Sequence, residues 1–135
     1  MKRKDFIKVA AMGAASFTVM PTNSLMAKRK ASATKVQLAI MGVGARGLNH
    51  LDLVLRRDDV DVVAICDVDN ITLTKAKEMI TKSGKKMPQV FTGDNFAWKK
   101  LLEIKGLDAV IIATPWEWHK PMIIGSLEAD RKSVV

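Results

Sequence analysis

Gly42, Gly44 and Gly47 stand in the run Gly42-Val43-Gly44-Ala45-Arg46-Gly47, and the carboxylate of Asp67 follows 20 residues beyond the last of them. Glycines at this spacing, between a strand and a helix, let a backbone wrap a pyrophosphate. The first permits a tight turn, the second lets the main chain approach the phosphates, and the third lets the helix lie close on the strand. The helix start adds unpaired N–H groups and the positive end of its dipole. A carboxylate at the end of the following strand accepts hydrogen bonds from ribose hydroxyls and repels a 2′-phosphate. Val68-Asp69-Asn70 offers no cation to hold such a phosphate. The pattern predicts a dinucleotide site that prefers NAD to NADP. Arg46 reads either as a phosphate contact or as an exposed arginine at the helix start.

A second group, Thr114-Pro115-Trp116-Glu117-Trp118-His119, leaves the carboxyl end of an apolar run, where open α/β sheets place their ligands. Two tryptophans and a histidine within four residues contribute nothing to folding if they merely decorate a surface loop. Their faces suit covering the nicotinamide side or a sugar ring; the competing reading is that both tryptophans pack the last helix on the sheet. His50, alone on a helix, reads as a satisfied or exposed side chain. The one cysteine, Cys66, excludes an internal disulfide and a cysteine-built zinc site, and no metal-ligand cluster is expected.

These residues need a scaffold, and the hydrophobic pattern supplies it. Val36 to Met41, Val60 to Cys66 and Leu107 to Ala113 are short Val/Ile/Ala-rich runs of the kind found in parallel strands covered on both faces. Between them lie helical patterns at Arg46 to Arg57, with Leu48, Leu51 and Leu55 on one face, at Thr72 to Ser83, and at Phe96 to Ile104. Asp69 and Asn70 read as N-cap residues of the second helix, and Gly84 stops it. A last helix is expected over Pro121 to Ala129, opened by its proline, and Ser133-Val134-Val135 looks like the start of another strand. Strands alternating with helices predict a doubly wound α/β fold with a parallel sheet.

The 135 residues hold 48% hydrophobic and 27% charged side chains with only 4 prolines, a composition that can bury a core and that excludes disorder, collagen and disulfide scaffolds. Net charge is +8, but residues 1 to 33 carry 7 of the 22 Lys and Arg against one acid, Asp5, so the folded part is close to neutral. No nucleic-acid partner is expected. Lys2, Arg3, Lys4 and Lys8 precede the apolar stretch Val9 to Met20, and small-residue sites follow at Ala27 and Ala31-Ser32-Ala33, the order of a secretory signal. The stretch is 12 residues, short of the about 20 a membrane span needs, so no permanent anchor is expected. The alternative is an amphipathic N-terminal helix. The organisation expected is a signal peptide at 1 to 33 and one nucleotide-binding domain at 34 to 135.

Gly42 to Gly47, Asp67 and Ala113-Thr114-Pro115 with His119 resemble the N-terminal Rossmann-type domain of the glucose-fructose oxidoreductase/inositol dehydrogenase/MocA (Gfo/Idh/MocA) family, over about residues 35 to 135. That family commonly shows T-P-N-x-x-H, and Trp116 stands here in place of the Asn. Trp116-Glu117-Trp118-His119, with Arg46-Gly47-Leu48-Asn49-His50, resembles one branch, glycoside hydrolase family 109, the NAD-dependent α-N-acetylgalactosaminidases. Arg3-Lys4-Asp5-Phe6-Ile7-Lys8 resembles the twin-arginine export motif, with Lys4 at the second arginine. The resemblance implies NAD contacts at Ala45-Arg46, Asp67 and Trp116 to His119, a sugar or glycoconjugate substrate, and a periplasmic location, and it is compatible with a homo-oligomer.

The resemblance also implies an unusual hydrolysis. Hydride leaves C3 of the sugar for NAD, the resulting ketone acidifies the C2 hydrogen, a base removes it, and the glycosidic oxygen departs by elimination. Water then adds and the hydride returns, which differs from the two-carboxylate route of most glycosidases. The catalytic acid/base groups belong to a second α/β domain that this sequence does not contain, and tyrosine, a common acid/base in this chemistry, occurs nowhere in the chain. The sequence reads as a truncated fragment whose catalytic residues lie elsewhere. Two other readings stay open: an NAD-dependent sugar dehydrogenase of the wider family, and an isolated nucleotide-binding module.

Overall fold

The computed structural model describes residues 34–134; the segment read above as a leader, and Val135, lie outside the described residues. The described residues run β1 (Val36–Met41), α1 (Ala45–Leu55), β2 (Val60–Cys66), α2 (Asn70–Lys82), β3 (Gln89–Phe91), α3 (Ala97–Leu102), β4 (Ala109–Ile112), α4 (Trp116–Glu128) and β5 (Lys132–Val134). The strands form one sheet in the order β3-β2-β1-β4-β5, every neighbouring pair parallel.

Both faces of the sheet are apolar because alternate residues of each strand point to opposite sides. Ile40 and Ile65 face one layer, where α1 and α2 bury Leu51, Leu55, Leu73, Ala76 and Ile80 on them. Ala39, Met41, Ala64, Cys66, Val110 and Ile112 face the other layer, covered by Trp98, Leu101 and Leu102 of α3 and Met122 of α4. The helices therefore change sides after β3. The chain winds outward from β1 through β2 to β3, returns to the centre at β4, and continues outward to β5. This reversal between β1 and β4 opens a crevice at their carboxyl ends, the place where doubly wound sheets bind ligands.

Local chemistry sets the boundaries. Asp69 is the N-cap of α2, its carboxylate accepting from the Ile71 N–H at 2.8 Å, while Asn70 is the first helical residue and not a second cap. Gly84 ends that helix region with a φ of +70°, a conformation glycine adopts without strain. The helix expected over Pro121 to Ala129 begins five residues earlier, at Trp116, with Pro115 as its N-cap. Pro121 therefore lies inside α4 and not at its opening, where the missing N–H removes one rung of the helical ladder. The far end of α4 closes in a Schellman motif: the Arg131 N–H reaches the Ser126 carbonyl at 2.8 Å and the Asp130 N–H reaches Leu127 at 3.0 Å. Asp130 occupies the left-handed position, φ 55°, that glycine usually takes.

Candidate functional site

The glycine loop is built from three different demands. Gly42 follows β1 with a φ of +86°, and a Cβ there would meet the Ala113 carbonyl oxygen at 2.6 Å, so this glycine lets β1 and β4 close against each other. Its N–H donates to the Cys66 carbonyl at 2.7 Å, and the Ala113 N–H donates to Met41 at 2.8 Å, which pins the three strand ends together. A Cβ on Gly47 would collide with the Gly42 carbonyl oxygen, so here the demand is contact of α1 with the loop. Gly44 differs: a Cβ there would meet nothing within 4 Å. Nothing within the domain requires glycine at 44, and the side left open is the side a ligand's backbone would occupy.

Gly44 is also the N-cap of α1, and it offers no side chain to satisfy the first N–H groups. The first turn of α1 contains no acidic residue, and Arg46 stands exposed at its second position. Cation at the positive end of a helix dipole is unfavourable by itself. Free N–H groups, an added cation and an open approach suit a diphosphate, so the residues present fit a dinucleotide.

Asp67 sits immediately after β2 and is committed on both oxygens. One accepts from the Val43 N–H at 2.7 Å and the other from the Asp69 N–H at 3.0 Å. It thereby ties the end of β2 to the glycine loop, and each oxygen keeps a second lone pair for a ribose hydroxyl. Gly42, Gly44, Asp67, Thr114, Pro115 and Trp118 all line one groove of about 310 Å³ across the strand ends. Ala45, Arg46, Gly47, Trp116, Glu117 and His119 do not line it. A larger hollow of about 570 Å³ near the amino ends of β1 to β3 includes Lys35, Val60 and Met87 and has no glycine loop.

The aromatic group splits by role. Trp118 is half-buried and meets Phe96 edge to face, ring centroids 5.8 Å apart, at the groove wall. Trp116 is 91% exposed, so it does not pack α4 on the sheet. Glu117 is exposed in the first turn of α4, where its charge complements the helix dipole. His119 Nε2 lies 2.8 Å from the Thr114 carbonyl. A carbonyl only accepts, so Nε2 carries the proton and Nδ1 of the neutral ring is left as an acceptor. The Thr114 hydroxyl makes only a weak bond to the Met122 sulfur at 3.4 Å and can turn toward a stronger acceptor.

Asp94, Asn95, Trp98 and Met122 also line the groove and carry no motif in the sequence. Asp94 and Asn95 follow β3, and recognising that three-residue strand would have placed them at a carboxyl strand end. Trp98 is buried at 4% exposure with its indole N–H unpartnered, and Gly125 makes room for its ring. Cys66 lies beneath the groove. Burial, and after it the charges of Asp67 and Asp94, push its thiol from 9.0 up to about 12. Among the described residues no three His, Cys, Asp or Glu are grouped to hold a metal.

Residues 36–135 match the Gfo/Idh/MocA family, an oxidoreductase family with an NAD-binding Rossmann fold. A glycosyl hydrolase family 109 protein of Stenotrophomonas maltophilia (strain K279a) is 47% identical over 131 residues, 96% of this chain and 28% of that protein. The alpha-N-acetylgalactosaminidase of Shewanella oneidensis is 37% identical over 100 residues, 74% of this chain and 22% of that protein. The chain thus spans less than a third of the curated relatives it matches. Among solved structures, myo-inositol 2-dehydrogenase from Lactobacillus plantarum superposes with a TM-score of 0.58 at 27% identity, covering 73% of this chain and 27% of that one. Scyllo-inositol dehydrogenase from Lactobacillus casei, solved with NAD(H) and scyllo-inositol, gives 0.60 at 22% identity over 73% and 27%. The glycine loop, the β1/β4 crevice and the match over residues 36–135 lead to one conclusion: the chain belongs to the Gfo/Idh/MocA oxidoreductase family, as its NAD-binding Rossmann domain.

Proposed function

We propose that the groove holds NAD with the diphosphate on the start of α1, the adenosine ribose on Asp67 and the nicotinamide toward Thr114 and Trp118, on behalf of a longer protein that hydrolyses α-N-acetylgalactosaminides. The observation that carries the cofactor pose is Gly44, open on the ligand side at the head of an uncapped helix. The glycosidase reading is supported by the similarity to family 109 proteins and by Trp116 at a position where the wider family commonly has Asn. When bound, the nicotinamide supplies a reversible hydride acceptor. The chain's own residues do the positioning: Asp67 takes the ribose, Thr114 offers a hydroxyl, Trp118 walls off water on one side, and His119 holds the Thr114 turn against α4.

The parent protein tests this reading. Cleavage of an aryl α-N-acetylgalactosaminide should release aglycone with no accumulation of NADH, and deuterium from solvent should enter C2 of the released sugar. The 135-residue chain alone should release none. Stoichiometric NADH without aglycone would replace the glycosidase with a sugar dehydrogenase, the second reading favoured by the likeness to myo-inositol 2-dehydrogenase. Residues 1 to 33 act, in this reading, as an export signal leading to the periplasm by the twin-arginine route. The alignment with the Stenotrophomonas protein spans 96% of the chain and so runs into that segment. N-terminal sequencing of periplasmic protein should give a mature chain starting near residue 28 or 34, and a chain retaining Met1 in the cytosol would overturn the assignment.

A further inference from the structure

The outer side of α4 is apolar where a surface helix is normally polar. Its inner side buries Met122 and Ser126 against the sheet, yet Trp116, Ile124 and Leu127 are all exposed, Trp116 and Leu127 most of all. Residues 116, 120, 124 and 127 follow the helical spacing, so these three side chains form one stripe, interrupted only by Lys120. Phe96, the N-cap of α3, is exposed too, and with Leu102, Pro121 and Ile124 it lines a shallow hollow of about 690 Å³ between α3 and α4. The two helices over the other face of the sheet differ. α1 exposes one large apolar side chain, Leu53, and α2 exposes one, Ile71. Single exposed apolar residues are ordinary on a protein surface, whereas a contiguous patch marks a contact. The surrounding charges are balanced, Lys99 and Lys120 against Glu103, Glu117 and Glu128, which gives the face an apolar centre and a polar border, as interfaces have.

We infer that this α3/α4 face is the seat of the polypeptide that follows the domain in the longer protein, docked on it within one chain. The inference shares with the proposed function the premise of a longer parent and does not need the glycosidase chemistry. The matched part is 28% of the Stenotrophomonas protein and 22% of the Shewanella one, so most of each relative's length is available to cover the face. β5 is an edge strand, parallel to β4, and follows α4 directly. A chain continuing from β5 therefore leaves the sheet at the end where Trp116 opens α4. A segment tethered so closely meets the face at high effective concentration, and a contact of ordinary inter-domain size then suffices. A second copy of this domain fits less well. Closed pairing of two such faces, α4 antiparallel to α4, sets Glu117 of one copy beside Glu128 of the other.

Hydroxyl-radical footprinting of the parent protein and of the 135-residue chain, each with and without NAD, tests this without any turnover. Ile124 and Leu127 decide it, because neither lines the cofactor groove. Both should be oxidised about threefold or more slowly in the parent than in the 135-residue chain, whether or not NAD is present, as expected for side chains at an interface centre. Leu53 and Ile71 should react alike in the two chains. Equal rates at Ile124 and Leu127 in the two chains overturn the inference and leave the glycosidase reading standing. Slowing by the same factor at all four residues overturns it too, since the face is then not singled out. Protection that fades as the parent is diluted from dimer to monomer, followed by sedimentation velocity, gives the face to a second copy and likewise overturns it. Protection that holds in a parent releasing no aglycone keeps the interface and removes the glycosidase.

Discussion

A methyl group added at Gly47 would run into the Gly42 carbonyl oxygen, whereas one added at Gly44, whose φ of −66° suits any residue, would meet nothing. Gly47→Ala should therefore destabilise the fold by about 3 kcal/mol or more. Gly44→Ala should melt like the wild type and lose NAD affinity about tenfold or more, since the methyl fills the ligand's approach. Thermal melts and NAD titrations of the two variants separate packing from binding. Cys66 gives a prediction of different kind. Its thiol is held neutral up to about pH 12 in the folded state, against 9.0 when unfolded. Between those values the unfolded chain has released a proton that the folded chain retains, so stability is complete below pH 9 and falls as pH rises toward 12. Cys66→Ala should flatten that slope in denaturant melts run from pH 8 to 11, and the native thiol should resist iodoacetamide at pH 8.

At the scale of elements, what the sequence made readable and what it hid have physical reasons. The long apolar runs of β1 and β2, and the glycine loop between them, announce themselves because both faces of a parallel strand are buried and a pyrophosphate turn needs glycine. β3 did not, because Gln89-Val90-Phe91 is too short to show a period. The start of α4 was hidden by Pro121, which advertises a first turn and in fact lies in the sixth position, while Pro115 performs the opening. The end of α4 was legible to within one residue, at Ala129, even though Asp130 beyond it holds a glycine conformation. The αL geometry costs an L-residue about 1 kcal/mol, somewhat less for Asp, so Asp130→Gly should stabilise the domain by about 0.5–1 kcal/mol. That corresponds to a rise of about 2–8 °C in a melt of a domain this size. Asp130→Val should lower it.

For the molecule as a whole, a ligand that binds only the folded state adds stability as RT ln(1 + [L]/Kd). NAD at about 100 times its dissociation constant should thus stabilise the chain by about 2.7 kcal/mol, and NADP at the same concentration by much less. A thermal-shift series in both cofactors reads this directly, and equal shifts would remove Asp67 from its selective role. Trp116, almost wholly exposed at the first position of α4, marks a surface the domain does not use for its own folding. The curated relatives are more than three times as long as this chain, and the substrate chemistry proposed above needs acid/base groups that their remaining length would supply.

The bond from the Val43 N–H to Asp67 divides the glycine loop into two kinds of amide. Val43 is already engaged by a side chain of the protein, so its hydrogen should exchange slowly with deuterated solvent whether or not cofactor is present. The amides of Ala45 and Arg46, at the uncapped start of α1, have no such partner and should exchange quickly until a diphosphate arrives. The loop carries its own internal standard: the ratio of neighbouring exchange rates reports occupancy without a chromophore or turnover.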